Sequence, residues 1–96
     1  MPHICKVIAH RGASGQAPEN TLAAIHKALA IGVDMIEMDV RQTRDGAIVL
    51  MHDRTLNRTT NGKGRVAKKS LSELQTLDAG SWFDPSFANE RIPELG

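Results

Sequence analysis

The chain has 96 residues, 41% of them apolar, a formal net charge of +1 and a single cysteine. That composition suits one small domain with a modest core. It excludes wholesale disorder, an intrachain disulfide and a dedicated nucleic-acid binder, whose footprint is a dense basic patch. The aromatic residues Trp82, Phe83 and Phe87 all come late, so everything before them packs with aliphatic side chains. Cys5 lies in an apolar run, reads as a small buried side chain and implies a reducing, cytoplasmic setting. No apolar run approaches the ~20 residues a membrane span needs. The opening MPHICK lacks the basic-then-apolar pattern of a signal peptide.

Residues 4–9 (ICKVIA) read as a short buried strand, ended by the breaker-rich HRGASG. Leu22, Ile25, Leu29 and Ile31, with alanines between them, predict a helix over 19–31 with a broad apolar face; Pro18 sits near its first turn and Gly32 is its C-cap. Residues 33–40 (VDMIEMDV) predict a second strand, running on through Arg41, Gln42 and Thr43. Strand, helix and strand at this spacing form a βαβ unit with parallel strands. Asp45–Gly46 predicts a tight turn, with the chain returning as a third strand from Ala47 to Met51. A turn centred on those two residues sets Asp39 opposite His52.

Residues 54–69 are polar and turn-rich. Lys63, Arg65, Lys68 and Lys69 read there as a solvated loop, or alternatively as an anionic-ligand patch. Ser70 and Glu73 form a capping box that opens a short helix with Leu71, Leu74 and Leu77 on one side. Residues 78–96 read as irregular, with WFDPSF a surface cluster. One parallel pair, one hairpin arm and one main helix leave a sheet face or edge uncovered. The chain is therefore expected to be the front portion of a larger α/β protein.

The chemistry gathers at the strand ends. Glu37 and Asp39 sit two residues apart, on one face of a strand. Two carboxylates there repel unless something compensates them, and a hard divalent cation or nearby arginines such as Arg11 and Arg41 would both serve. His10, Arg11 and Gly12 follow the first strand, at the end where parallel α/β folds place ligands. A histidine exchanges protons near neutral pH, and a guanidinium fork suits phosphate. His52 closes the third strand. Two histidines, an arginine and two carboxylates on one rim suit metal-assisted phosphoryl hydrolysis. His3 is terminal, and His26 reads as a helix-surface residue.

HRGxxGxxPENT (10–21), IEMDV (36–40) and DGxxVLMHD (45–53), followed by TLNRTTNGKG (55–64), SLSELQTLDAG (70–80) and RIPEL (91–95), resemble the opening third of a glycerophosphodiester phosphodiesterase. The resemblance implies α/β architecture: the N-terminal part of a (β/α)8 TIM barrel, with residues 4–9 and 33–40 as its first two strands and 47–51 as a hairpin arm. It implies hydrolysis of small glycerophosphodiesters, such as glycerophosphocholine, to an alcohol and sn-glycerol 3-phosphate. Carried onto this sequence, Glu37 and Asp39 are ligands for Mg²⁺ or Ca²⁺, His10 and His52 are the acid–base pair, and Arg11 binds the phosphate. Glu19 and Asn20 support the site, Asn20 as a hydrogen-bonding residue and helix cap. A further metal-binding glutamate is implied from a later strand, beyond residue 96. Residues 1–96 alone are then expected to bind metal weakly, to turn over little and to self-associate. The alternatives are a catalytically incomplete metal- or anion-binding fragment or assembly module, and a related lipase-type barrel, which the scarcity of aromatic residues disfavours.

Overall fold

The computed structural model of the chain describes residues 7–95. His3, Cys5 and positions 4–6 of the first predicted strand lie outside the described residues. Strand β1 (Ile8–His10) leads through a long turn into helix α1 (Leu22–Ile31) and back to β2 (Met35–Glu37). β1 and β2 pair in parallel with His10 beside Glu37, so the predicted βαβ unit is present. β3 (Val40–Gln42) and β4 (Ile48–Leu50) form an antiparallel hairpin. Helix α2 (Leu71–Gln75) follows a polar excursion. The described strands make two two-stranded sheets and no closed barrel.

Helix α1 starts later than position 19. Thr21 is its N-cap, its hydroxyl accepting from the Ala24 N–H, and Gly32 closes it in the left-handed conformation. Asn20 is therefore not the cap; its side chain is turned elsewhere. Glu90 accepts from the Ala23 N–H at 2.9 Å, which ties the C-terminal segment to the positive end of the helix. The predicted broad apolar face is fully buried only at small residues, with Ile25 half-buried. Ala24 and Ala28 are buried, whereas Leu22, Leu29 and Ile31 are exposed. Ile8 is exposed as well, so β1 is not covered on both faces.

The predicted second strand is broken at Met38–Asp39, and its two halves join different sheets. The hairpin register also differs from the expectation. Arg41 faces Val49, and the Thr43 N–H donates to the Ala47 carbonyl. The loop is thus Arg44–Asp45–Gly46, with Gly46 at φ 86°. Asp39 then comes level with Met51, whose N–H donates to the Asp39 carbonyl at 2.9 Å, and His52 lies one residue beyond. Asp–Gly serves a two-residue loop or, with glycine in the left-handed position, a three-residue one. The chain takes the second.

The core gathers Val49, Met51, Leu56, Val66, Leu74, Ala79 and Ile92, with Leu71 and Leu77 packed against it. The polar 54–69 excursion and the irregular C-terminal segment thus supply Leu56, Val66 and Ile92, beyond what their sequence pattern suggested. The capping box at α2 forms as predicted: the Ser70 hydroxyl accepts from the Glu73 N–H and the Glu73 carboxylate accepts from the Ser70 N–H. Trp82, Phe83 and Phe87 stack edge to face in a late cluster.

Candidate active site

The C-terminal ends of β1 and β2 lie on the same edge, because the strands are parallel. His10 and Glu37 are register partners there, with His10 Nε2 3.5 Å from Glu37 Oε2. The chain then reverses sharply. Arg11 and Gly12 both take positive φ, at 58° and 77°. Gly12 presses on α1 so closely that a Cβ would stand 2.8 Å from the carbonyl carbon and Cβ of Ala24. The Ala13 N–H donates to the Ala24 carbonyl, and the Asn20 N–H to the Arg11 carbonyl. The loop from Arg11 to Asn20 is thereby closed at its neck, with both ends beside β2.

Asn20 grips Asp39 from two sides. Its Oδ1 accepts from the Asp39 N–H at 3.3 Å and its Nδ2 donates to Asp39 Oδ2 at 3.2 Å. This clamp sits where the strand breaks between β2 and β3. The Arg11 N–H donates to Glu37 Oε1 at 3.3 Å. Arg11 Nε is 3.5 Å from Asp39 Oδ2, buried and without a hydrogen bond. Arg41 turns away from the carboxylates and donates to the His52 carbonyl, from Nη2 at 2.6 Å and Nε at 3.1 Å.

Two residues given no role by the sequence complete the cluster. Arg58 donates to both oxygens of Glu19 at 2.9 Å, and to Asp53 from Nε at 2.9 Å and Nη2 at 3.0 Å. Asp53 also meets His52 Nδ1 at 2.8 Å. Arg58 beside it, and His52 after that, hold the Asp53 carboxyl well below the usual carboxylate range. The local signal was a carboxylate directly following the histidine at a strand end. Nothing local announced Arg58, which meets Glu19 across 39 residues.

Charge is unevenly settled in this cluster. Glu19, only 9% exposed, takes hydrogen bonds from Arg11 and Arg58, and Asp53 takes them from Arg58. Four carboxylates share two guanidiniums, so negative charge is in excess; it is least compensated at Glu37, which meets only His10 at 3.5 Å and the Arg11 N–H, and at Asp39, which shares the Arg11 guanidinium with Glu19. Their oxygen donors fit a hard divalent cation, and Mg²⁺ in particular is often held by one or two carboxylates with water and substrate phosphate completing its shell. Among the described residues no group of three or more His, Cys, Asp or Glu gathers to hold a metal unaided. The site is an open rim. The crevice beneath Glu19, Asn20 and His52 holds only about 10 Å³, while grooves of about 540 Å³ beside α2 and about 630 Å³ beside the start of α1 lie away from this chemistry.

The family model for the glycerophosphoryl diester phosphodiesterase family matches residues 10–95, from His10 itself onward. The chain belongs to this family. A glycerophosphodiester phosphodiesterase of Caldanaerobacter subterraneus subsp. tengcongensis is 54% identical over 89 residues, which are 93% of this chain and 37% of that protein. One from Bacillus subtilis is 44% identical over 87 residues, 91% of this chain and 30% of that protein. An Oleispira antarctica phosphodiesterase, solved with the product sn-glycerol-3-phosphate, superposes with a TM-score of 0.93 at 51% identity, over 96% of this chain and 37% of that one. The chain thus spans roughly a third of the length of these glycerophosphodiester phosphodiesterases. Among its described residues, no helix is long and apolar enough to cross a membrane.

Proposed function

We propose that residues 1–96 are the N-terminal part of a (β/α)8 barrel whose complete catalytic domain hydrolyses small glycerophosphodiesters to an alcohol and sn-glycerol 3-phosphate, in the cytoplasm. The observation that carries this reading is the unsettled negative charge of Glu37 and Asp39 beside His10 and Arg11, in a chain of this family. Glu37 and Asp39 would hold Mg²⁺ or Ca²⁺. When bound, such a cation draws charge from the phosphoryl oxygens and so eases attack on phosphorus. Arg11 offers its guanidinium to the phosphodiester anion, with Glu19 and Asn20 as supports. Water's oxygen bonds to phosphorus as the bond to the leaving ester oxygen breaks. One histidine of the pair His10 and His52 takes the proton from water, and the other delivers a proton to the departing alcohol. Both rings reach solvent, at 60% and 44% side-chain exposure, as proton exchange with an incoming substrate requires.

The test is glycerophosphocholine hydrolysis by the complete catalytic domain. Activity should vanish in excess chelator and return with Mg²⁺ or Ca²⁺. His10→Ala and His52→Ala should each lower kcat by about 10²-fold or more, the usual loss for a proton-transfer group. Full activity in chelator removes the metal role, and near-normal kcat in both variants removes the histidines. For residues 1–96 by themselves, a donor set of two carboxylates without a third ligand among the described residues favours a second reading, a catalytically incomplete metal- or anion-binding fragment or assembly module.

A further inference from the structure

The ion pairs around Arg58 are left unused by that chemistry, although they end on two of its groups. At one end, Glu19 accepts from Arg11 Nη1 at 3.3 Å through both oxygens. At the other, Asp53 holds His52 Nδ1 at 2.8 Å. Between them, one guanidinium makes four hydrogen bonds of 2.9 to 3.0 Å to two carboxylates. Exposed ion pairs usually add little to stability. This one is nonetheless built with geometry on every link, and its Glu19 side chain is nearly buried.

We infer that Arg58 and Asp53 are positioning residues for the hydrolysis: Asp53 fixes His52 with Nδ1 inward and Nε2 as the nitrogen that exchanges protons, and Arg58 locks both Asp53 and, through Glu19, the guanidinium of Arg11. The inference rests on the function proposed above. An ionised carboxylate only accepts hydrogen bonds, so in the neutral ring the proton sits on Nδ1 and the lone pair on Nε2. Arg58 keeps Asp53 ionised, which maintains that arrangement. The same guanidinium therefore serves the proton-transfer group and the anion-binding group together.

The two roles separate in kinetics. In the complete catalytic domain, Asp53→Asn should lower kcat about 10- to 100-fold with KM within about two-fold, because only proton transfer is disturbed. Arg58→Gln should lower kcat and raise KM together, since Arg11 is loosened as well. Arg58→Lys keeps the charge without the fork and should fall between wild type and Arg58→Gln; it also carries the test should Arg58→Gln fail to fold. Imidazole ¹⁵N spectra of His52 supply a readout that needs no turnover. The neutral wild-type ring should show a protonated Nδ1 and a bare Nε2, a bias that Asp53→Asn should abolish. A wild-type tautomer with kcat within about two-fold of normal in Asp53→Asn, or an Arg58→Lys protein altered in thermal stability alone, overturns the inference. Absence of glycerophosphodiester hydrolysis in the wild type would instead strike the proposed function, and the His52 spectra would still decide the placing of the ring.

Discussion

Asn20 takes a left-handed backbone conformation, φ 56°, and is only 4% exposed. For a residue with a Cβ that conformation costs of order 1 kcal/mol or more, and the two hydrogen bonds to Asp39 offset it. Arg11 and Asn20, the described non-glycine residues with positive φ, flank the same loop and both meet Asp39, which is where stored strain has a use. Asp53 shows a different device. Its carboxyl is held below its ordinary value of 3.8 by Arg58 first and His52 second. A depressed folded-state pKa gives stability that is fully present above the unfolded value and is lost as pH falls through the folded one. The expected outcome is a gap in unfolding midpoint between wild type and Asp53→Asn that persists from neutral pH down to about pH 4 and closes only below 3.8. Midpoints measured against pH on the complete domain check it; a gap already closed at pH 5 to 6 would sink the idea. His10 and Arg11 were legible as candidates in the sequence because a strand end is a local property, whereas the period-two expectation for Glu37 and Asp39 met a strand that ends at Glu37. The Arg58 link depends on the chain folding back over a separation of 39 residues, which no local pattern encodes.

The helix and hairpin that frame the site show how far local rules carry. The two glycines of HRGASG look alike in sequence, yet their surroundings differ. Gly12 has positive φ and no room for a Cβ against Ala24, whereas Gly15 has nothing within 4 Å. Gly12→Ala should therefore cost about 2 to 4 kcal/mol, combining backbone strain with overpacking, and should displace Arg11 as well. Gly15→Ala should stay within about 0.5 kcal/mol. Denaturant unfolding of both variants in the complete domain checks the contrast, and equal effects would contradict it. The βαβ unit, the Gly32 cap and the capping box at Ser70 were readable because each is set by neighbours in sequence. The hairpin register was not, since Asp–Gly is compatible with two loop lengths whose registers differ by one residue. The break at Met38–Asp39 was hidden too. It is held by the Asn20 clamp, a contact between residues 19 apart in sequence.

The core of the described residues lies to one side. The aliphatic cluster lies under β4, α2 and the C-terminal segment, while the βαβ unit is sealed mainly by Ala9, Ala17, Ala24 and Ala28. Ile8, Leu22, Leu29, Ile31, Met35 and Val40 remain 50 to 64% exposed. Fully burying one such side chain stabilises by about 1.5 to 3 kcal/mol, so leaving these six half in water withholds on the order of 5 to 9 kcal/mol. That is comparable to the entire stability of an ordinary domain, about 5 to 15 kcal/mol. The sequence pattern put Leu22, Leu29 and Ile31 on an apolar helix face and Ile8 in a buried strand, yet the surface that would bury them is not built by residues 7–95. The short sheets compound the problem: β4 is bridged on its outer side by Pro93–Leu95, but no further described strand pairs with β1, β2 or the outer side of β3. Residues 1–96 expressed alone should therefore associate through this face, with apparent mass rising with concentration in light scattering and a broad, weakly cooperative thermal transition. Replacing Leu29, the most exposed of the six at 64%, by Lys should lower the apparent mass without weakening the buried cluster around Leu56 and Leu74. A monodisperse monomer with sharp unfolding would show that the alanine-sealed βαβ unit is stable without further cover.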